Sequence, residues 1–287
     1  RLSDPDASAH FGGLNLDTQQ LRRAERIILT ACGTSYHAAL VGEYLIEEFA
    51  RIPVEVEYAS EFRYRNPVIE PDVLYVAVSQ SGETADTLAA ITEVRRKGGR
   101  AMAVVNVVGS SIAREVDGIY LHAGPEVSVA STKVFTSMLT AFALLAVHLG
   151  RVRDLGPADG ARLLTALRAL PGQIRQILDG EAAIVDAAYR FRDARSMFFI
   201  GRDAGFPIAL EGAQKLKETS YIHAEAYQAS ELKHGPLALV EPDFPSVVLL
   251  PDDALLEKNV STVQQIRARR GPVIGVGQAG ARRIHEE

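Results

Sequence analysis

The sequence holds a single cysteine, Cys32, among 287 residues. One thiol excludes an internal disulfide and a thiolate-based zinc site, and it fits a reducing, cytoplasmic setting. Long apolar runs are missing too. A bilayer span needs ~18 or more apolar residues, and the longest oily helix candidate, Ala141 to Leu149, is too short, so no membrane partner is expected. Positive charge is not in excess: Lys and Arg number 31 against 36 Asp and Glu, a net charge of −5, which argues against a nucleic-acid partner. The short basic run Arg267, Arg269 and Arg270 falls at a predicted helix end, where it opposes the negative pole of the helix dipole. No two histidines stand at helical ligand spacing beside a carboxylate, so no catalytic metal is expected, and no cofactor. No secretory leader pattern is present, and a chain beginning at Arg1 rather than Met reads as part of something longer.

What is there is an alternation of strand-like apolar runs with longer helical patterns, the signature of an α/β protein with mostly parallel sheets. Strands are predicted at Ile27 to Ala31, Val54 to Tyr58, Val73 to Val78, Ala101 to Val108 and Ile119 to His122. Helices are predicted at Tyr36 to Ala50, Glu83 to Arg96 and Ser131 to Leu149. Asp154 to Arg192 carries no strand-like run and reads as two helices broken at Pro171-Gly172, with Gly180 a second candidate break. The pattern then restarts with strands at Met197 to Ile200, Val247 to Leu250 and Val273 to Val276, and helices from Gly205 to Tyr221 and Ala254 to Arg269. Ala59-Ser60-Glu61-Phe62 recurs as Ala229-Ser230-Glu231-Leu232, 170 positions on, which implies a tandem of similar units. The expected division is a first unit over 1–153, a helical linker over 154–192, and a second, shorter unit over 193–287 with a polar end from Arg282 to Glu287.

The two halves differ at one place. The first has Ser79-Gln80-Ser81-Gly82-Glu83-Thr84 after its central strand, whereas at the same offset the second has Leu249 to Ala254. In an open parallel sheet, ligands bind at the carboxyl ends of strands, and the unpaired N–H groups of a helix's first turn suit an anion. The loop therefore has two readings, a capped helix start or a seat for a phosphate monoester. No lysine follows Gly82 at the spacing of the nucleotide-binding loop. Gly33-Thr34-Ser35 and Val129-Ala130-Ser131-Thr132 are two further small hydroxyl loops in the same half, and three together favour the phosphate. In the second half, Glu211, Lys215 and Glu218 share one helical face, either as a routine ion-pair stripe or as a proton-transfer set. His234, before Gly235-Pro236, falls on an exposed turn and can titrate near neutrality; His10, His37, His122, His148 and His285 have no comparable setting.

Cys32 to Tyr36, Ser79 to Thr87, Val129 to Lys133 and above all Lys217 to Leu239 (KETSYIHAEAYQASELKHGPLAL) resemble the isomerase half of glucosamine-6-phosphate synthases, the glutamine:fructose-6-phosphate aminotransferases. The resemblance covers nearly the whole chain. It implies two sugar isomerase (SIS) domains in tandem, each a parallel sheet flanked by helices in a flavodoxin-like or Rossmann-like three-layer fold. It implies that Thr34, Ser35, Ser79, Gln80, Ser81 and Thr84 hold a sugar phosphate, fructose 6-phosphate or glucosamine 6-phosphate, with Val129 beside the sugar. Glu218 matches the carboxylate that moves a proton between C1 and C2, Lys215 a lysine near that reaction, and His234 a ring-opening histidine that reaches the neighbouring subunit's site, so a homodimer is implied. The family's glutaminase domain and its carboxy-terminal tail, with a Schiff-base lysine, have no counterpart in these residues, so the stretch is expected to be incomplete for the full reaction. The alternatives are a stand-alone SIS isomerase or deaminase of amino-sugar phosphates and a non-catalytic SIS sugar-phosphate sensor.

Overall fold

The computed structural model describes residues 2, 3, 7–14 and 16–278. The polar end from Arg282 to Glu287, including His285, lies outside them. The chain divides into two compact units, Arg1–Pro171 and Gly172–Glu287.

The first unit opens with a short antiparallel pair, β1 (Leu2–Ser3) and β2 (Ser8–Ala9). It continues through α1 (Thr18–Arg22), β3 (Arg26–Ala31), α2 (Thr34–Ala50), β4 (Val54–Tyr58), α3 (Ala59–Tyr64), β5 (Val73–Ser79) and α4 (Ala85–Arg96). Then come β6 (Arg100–Val105), α5 (Ser111–Glu115), β7 (Gly118–Tyr120) and α6 (Thr132–Val152). Its sheet is wholly parallel, in the order β4-β3-β5-β6-β7. The central strand β5 is buried along its whole length, as a strand covered on both faces must be, which is why it reads as an unbroken apolar run. On one face Phe62, Tyr75, Ile91, Val94 and Ile112 form a core under α3, α4 and α5. On another, α6 lies close against α2: a Cβ added at Gly42 would stand 2.7 Å from the Phe142 ring. By length and composition α6 could cross a membrane, unlike the shorter stretch singled out in the sequence. More than half of its most apolar window is buried, which makes it a core helix.

Helix α7 (Pro157–Asp179) runs unbroken through Pro171, contrary to the predicted break. A proline costs a helix one N–H donor and crowds the carbonyl four residues back, which distorts a helix without always ending it. The stop comes at Gly180, before α8 (Ala182–Phe191). The second unit then repeats the pattern of the first in β8 (Ser196–Gly201), α9 (Gly205–Ser220), β9 (His223–Gln228), β10 (Ser246–Leu250), α10 (Leu256–Ala268) and β11 (Val273–Gly277). Two 3-10 turns, Leu232–His234 and Pro236–Leu239, follow β9. Its sheet is parallel in the order β11-β10-β8-β9, around a core of Phe198, Ile200, Leu232, Val248, Leu250 and Ile266. The two-sheet α/β architecture expected from the sequence is therefore present.

Strand register tests the internal repeat. Ile28 pairs with Glu55, and Phe198, 170 positions on, pairs with Glu225. Ile28 also pairs with Tyr75, whereas Phe198 pairs with Ser246, which is 171 positions from Tyr75. One extra residue has entered before β10, so the counterpart of Ser79 is Leu250 rather than Leu249. The loop Ser79 to Thr84 stands opposite Leu250 to Leu255.

Candidate functional site

Strand β3 leads to β4 on one side of the first sheet, while β5 lies on its other side. The order of the chain reverses between β3 and β5, and the loops leaving their carboxyl ends diverge there to leave a crevice. Those loops are Gly33-Thr34-Ser35 and Ser79 to Thr84. A cavity of about 80 Å³ lies at this place, lined by Thr34, Ser35, Gln80, Glu126, Ser128, Val129, Ser131, Val134 and Met138. Four of the expected site residues, Thr34, Ser35, Gln80 and Val129, thus meet in the lining of one cavity. The volume suits a small anion's seat, since whole small-molecule sites measure roughly 300 Å³ or more.

The other hydroxyls of the loop shape it. Ser79 is buried at the end of β5, where its Oγ accepts from the Gly82 N–H at 3.0 Å and pairs with Thr84 Oγ1 at 3.0 Å. Ser81 Oγ accepts from the Glu83 N–H at 3.1 Å. Gly82 turns the chain with φ +67°, and a Cβ there would meet Ser110 Oγ at 2.0 Å, so both its conformation and its closeness demand glycine. The Glu83 carboxylate reaches across to accept from the Ser111 N–H at 2.8 Å at the start of α5, and these bonds with Ser111 hold its pKa below the usual value.

Three helices begin at these loops: α2 after Gly33, α4 after Thr84 and α6 after Ser131. None has a side-chain hydrogen bond at its N-cap. Their first N–H groups are left to other partners, and each N-terminus carries the positive end of a helix dipole. Gln80 Nε2 is buried without a partner, a donor in the wall that a ligand oxygen would satisfy. No lysine or arginine lines the cavity and Glu126 brings a carboxylate to its lining, so an anion here would be held by neutral donors and helix ends against that one charge. Glu126 and Ser128 are lining residues that the sequence reading missed. They sit in an irregular segment, and their closeness to Val129 was the one available signal.

Within the second unit, α9 carries the expected acid–base–acid face. Lys215 Nζ lies 3.6 Å from Glu211 Oε1 and 2.5 Å from Glu218 Oε2. Gln214 Nε2 donates to the other Glu218 oxygen at 3.0 Å. Glu211 is buried and Glu218 is exposed near the helix end, so the outer carboxylate is the one open to a ligand. His234 is exposed at the end of its 3-10 turn, where its N–H donates to Glu231 O at 2.9 Å. Gly235 follows with φ +147°, a conformation that favours glycine. A cavity of about 770 Å³ is also in this unit; it is an apolar groove lined by residues such as Ile184, Phe199, Leu216 and Val276. It lacks the convergent polar groups of a chemical site.

Fold and cavity together define a repeated α/β protein with a small, largely hydroxyl- and amide-lined pocket at the switch point of its first sheet. The sequence profile of the SIS domain matches residues 20–148 and 190–284, one stretch in each repeat, and the chain belongs to the SIS domain family. Within that family it is 48% identical over 285 residues to the glutamine–fructose-6-phosphate aminotransferase (isomerizing) of Chlorobaculum tepidum, covering 99% of this chain and 46% of that protein. It is 46% identical over 286 residues to an enzyme of the same name from Thermus thermophilus, covering 99% of this chain and 47% of that protein. The chain spans about half the length of the curated relatives it matches. Among solved structures, the C-terminal domain of glucosamine-fructose-6-phosphate aminotransferase from Francisella tularensis superposes with a TM-score of 0.90 at 39% identity, over 94% of this chain and 76% of that one.

Proposed function

We propose that the chain is the isomerase part of a glucosamine-6-phosphate synthase and binds fructose 6-phosphate. The carrying observation is the hydroxyl- and amide-lined cavity at the switch point, where three helices begin without side-chain caps. Thr34, Ser35, Gln80 and Ser81 donate to the phosphate, Ser79 and Thr84 hold the loop in shape, and Val129 borders the sugar. Glu218 takes the proton from C1 of the open-chain sugar and returns one at C2. Lys215, beside it, orients that carboxylate. His234 opens the sugar ring as a proton donor, supplied from the neighbouring subunit of a homodimer. In the intact cytoplasmic enzyme, a glutaminase domain provides ammonia from glutamine. The high identity to the named aminotransferases supports this assignment over a deaminase or a sensor.

Calorimetric titration with fructose 6-phosphate tests it. The chain is expected to bind, and Ser81→Ala to weaken binding roughly 10- to 100-fold, the worth of one hydrogen bond to a charged group. No binding by the parent chain, or unchanged affinity in the variant, refutes the assignment.

A further inference from the structure

The wall of the cavity formed by Glu126, Ser128, Val129 and Ser131 belongs to residues 121–131, which form no helix or strand. Its Val127 and Val129 side chains point to solvent, so burial does little to hold this segment and polar ties matter more. Asn106, the residue after β6, supplies several of them. Its Oδ1 accepts from the Ala123 N–H at 2.8 Å, and its Nδ2 donates to Gly124 O at 2.8 Å. A carboxamide is flat and carries a donor and an acceptor side by side, so it holds the N–H of one residue and the C=O of the next at once. The Asn106 N–H in turn donates to Gln80 O at 3.1 Å, one step past the Ser79–Val105 register of β5 and β6. One residue thus grips both walls. Lys133 Nζ holds the same segment a residue further on, at Pro125 O, 2.8 Å away.

We propose that Asn106 is a positioning residue that sets the affinity of the site for a phosphorylated sugar over phosphate alone. The inference rests on the fructose 6-phosphate reading. The Ser79 to Thr84 loop and the helix ends receive the phosphate; the tethered segment, with Glu126, Ser128 and Val129, forms the wall met by the sugar. Loosening the tether therefore removes contacts to the sugar and leaves those to phosphate in place. Asn106→Ala cuts both side-chain bonds. Asn106→Asp is nearly the same shape, keeps the acceptor for Ala123 and loses the donor to Gly124.

The test compares the parent chain, Asn106→Ala and Asn106→Asp by calorimetry with fructose 6-phosphate and with inorganic phosphate, alongside hydrogen exchange at the Ala123 amide. Asn106→Ala is expected to weaken the sugar phosphate roughly tenfold or more and inorganic phosphate less than about twofold, with faster exchange at Ala123. Asn106→Asp is expected to fall between it and the parent for the sugar phosphate and to retain slow exchange. Equal losses for both ligands, or no loss for either, overturn the positioning role. Failure of the parent chain to bind fructose 6-phosphate overturns the functional reading on which it stands, whatever the variants do.

Discussion

Replacing Gly82 with alanine is the sharpest perturbation of the loop, and its cost can be worked from two separate terms. The residue has φ +67°, and holding a non-glycine residue there costs about 1–2 kcal/mol. The new Cβ would lie 2.0 Å from Ser110 Oγ and 2.5 Å from Ser110 Cβ, where real Cβ contacts essentially never fall below 3.0 Å. Ser110 must therefore move by about 1 Å, in a packed site where such crowding costs about 1–3 kcal/mol. The sum is about 2–5 kcal/mol, or a fall in melting temperature of roughly 4–20 °C at about 2–4 °C per kcal/mol. The two terms separate in a double mutant, because both crowding atoms belong to Ser110. Its Oγ is buried without a hydrogen-bond partner, so Ser110→Gly forfeits no bond. It also stands at the N-cap of α5 without a capping bond, a position that tolerates glycine. Gly82→Ala with Ser110→Gly is expected to recover the crowding term and keep the dihedral term, a coupling of about 1–3 kcal/mol. Thermal unfolding followed by circular dichroism measures all four proteins. A Gly82→Ala protein within about 0.5 kcal/mol of the parent, or no coupling in the double mutant, refutes this account of the loop.

Glu218→Gln is expected to lower deuterium exchange at C1 of fructose 6-phosphate in D2O by about 10²–10⁴-fold relative to the parent while leaving sugar binding within about threefold; exchange at the parent rate removes Glu218 as the base. Burial first, and then the stacked Tyr58 with ring centroids 3.7 Å apart, push the Tyr36 hydroxyl up to about 12. A raised folded-state pKa adds stability in full below the ordinary value of 10.0, and that stability is lost as pH rises towards about 12. The Glu225 carboxylate pushes Tyr227 up to about 12 as well, so absorbance titration near 295 nm should show a late phase that shrinks in Tyr36→Phe and partly moves to lower pH in Tyr58→Ala; a Tyr36→Phe curve that keeps the parent's late phase unchanged contradicts this assignment.

Elements that bury a continuous apolar run, such as β3, β5 and β10, were legible because a parallel strand covered on both faces leaves a run of Val, Ile and Leu. Strand β9 was not, since His223, Glu225 and Gln228 are exposed on an edge strand and break the apolar signal. Its place could have been found by carrying Val54 to Tyr58 forward by 170 positions. The helices α1, α3 and α5 have five or six residues each, too few to show a period. At the site, residue types were legible and directions were not. Ser79 and Ser81 looked alike in sequence, yet Ser79 lies buried at the strand end and closes the turn. Glu126 and Ser128 entered the wall because Asn106 holds an irregular segment in place, a tie across 17 and 18 residues that no local pattern announces.

The corrected register gives the comparison of the two repeats its chemical point. Leu250-Pro251-Asp252-Asp253-Ala254-Leu255 occupies the place of Ser79-Gln80-Ser81-Gly82-Glu83-Thr84, and α10 starts at Leu256 just as α4 starts at Ala85. The two connections from strand to helix thus have the same length, while the groups differ, and so does the turn: Gly82 has φ +67°, and Asp253 in its place is not among the described residues with positive φ. Pro251 stands for the donor Gln80 and has no N–H, Asp252 stands for Ser81, and Asp253 for Gly82. Asp253 spends its carboxylate on the Leu255 N–H at 2.8 Å, a turn-forming bond internal to the loop. Two carboxylates at a strand end repel an anion that hydroxyls and a close backbone would attract. The same fold therefore presents a hydroxyl- and amide-bearing loop in one unit and an acidic turn in the other. Grafting Ser-Gly over Asp252-Asp253 would remove the repulsion but not restore the Gln80 donor. The phosphate-binding role proposed for the first unit would thus rest on the side chains and glycine of one loop; the repeated α/β frame supplies only the place.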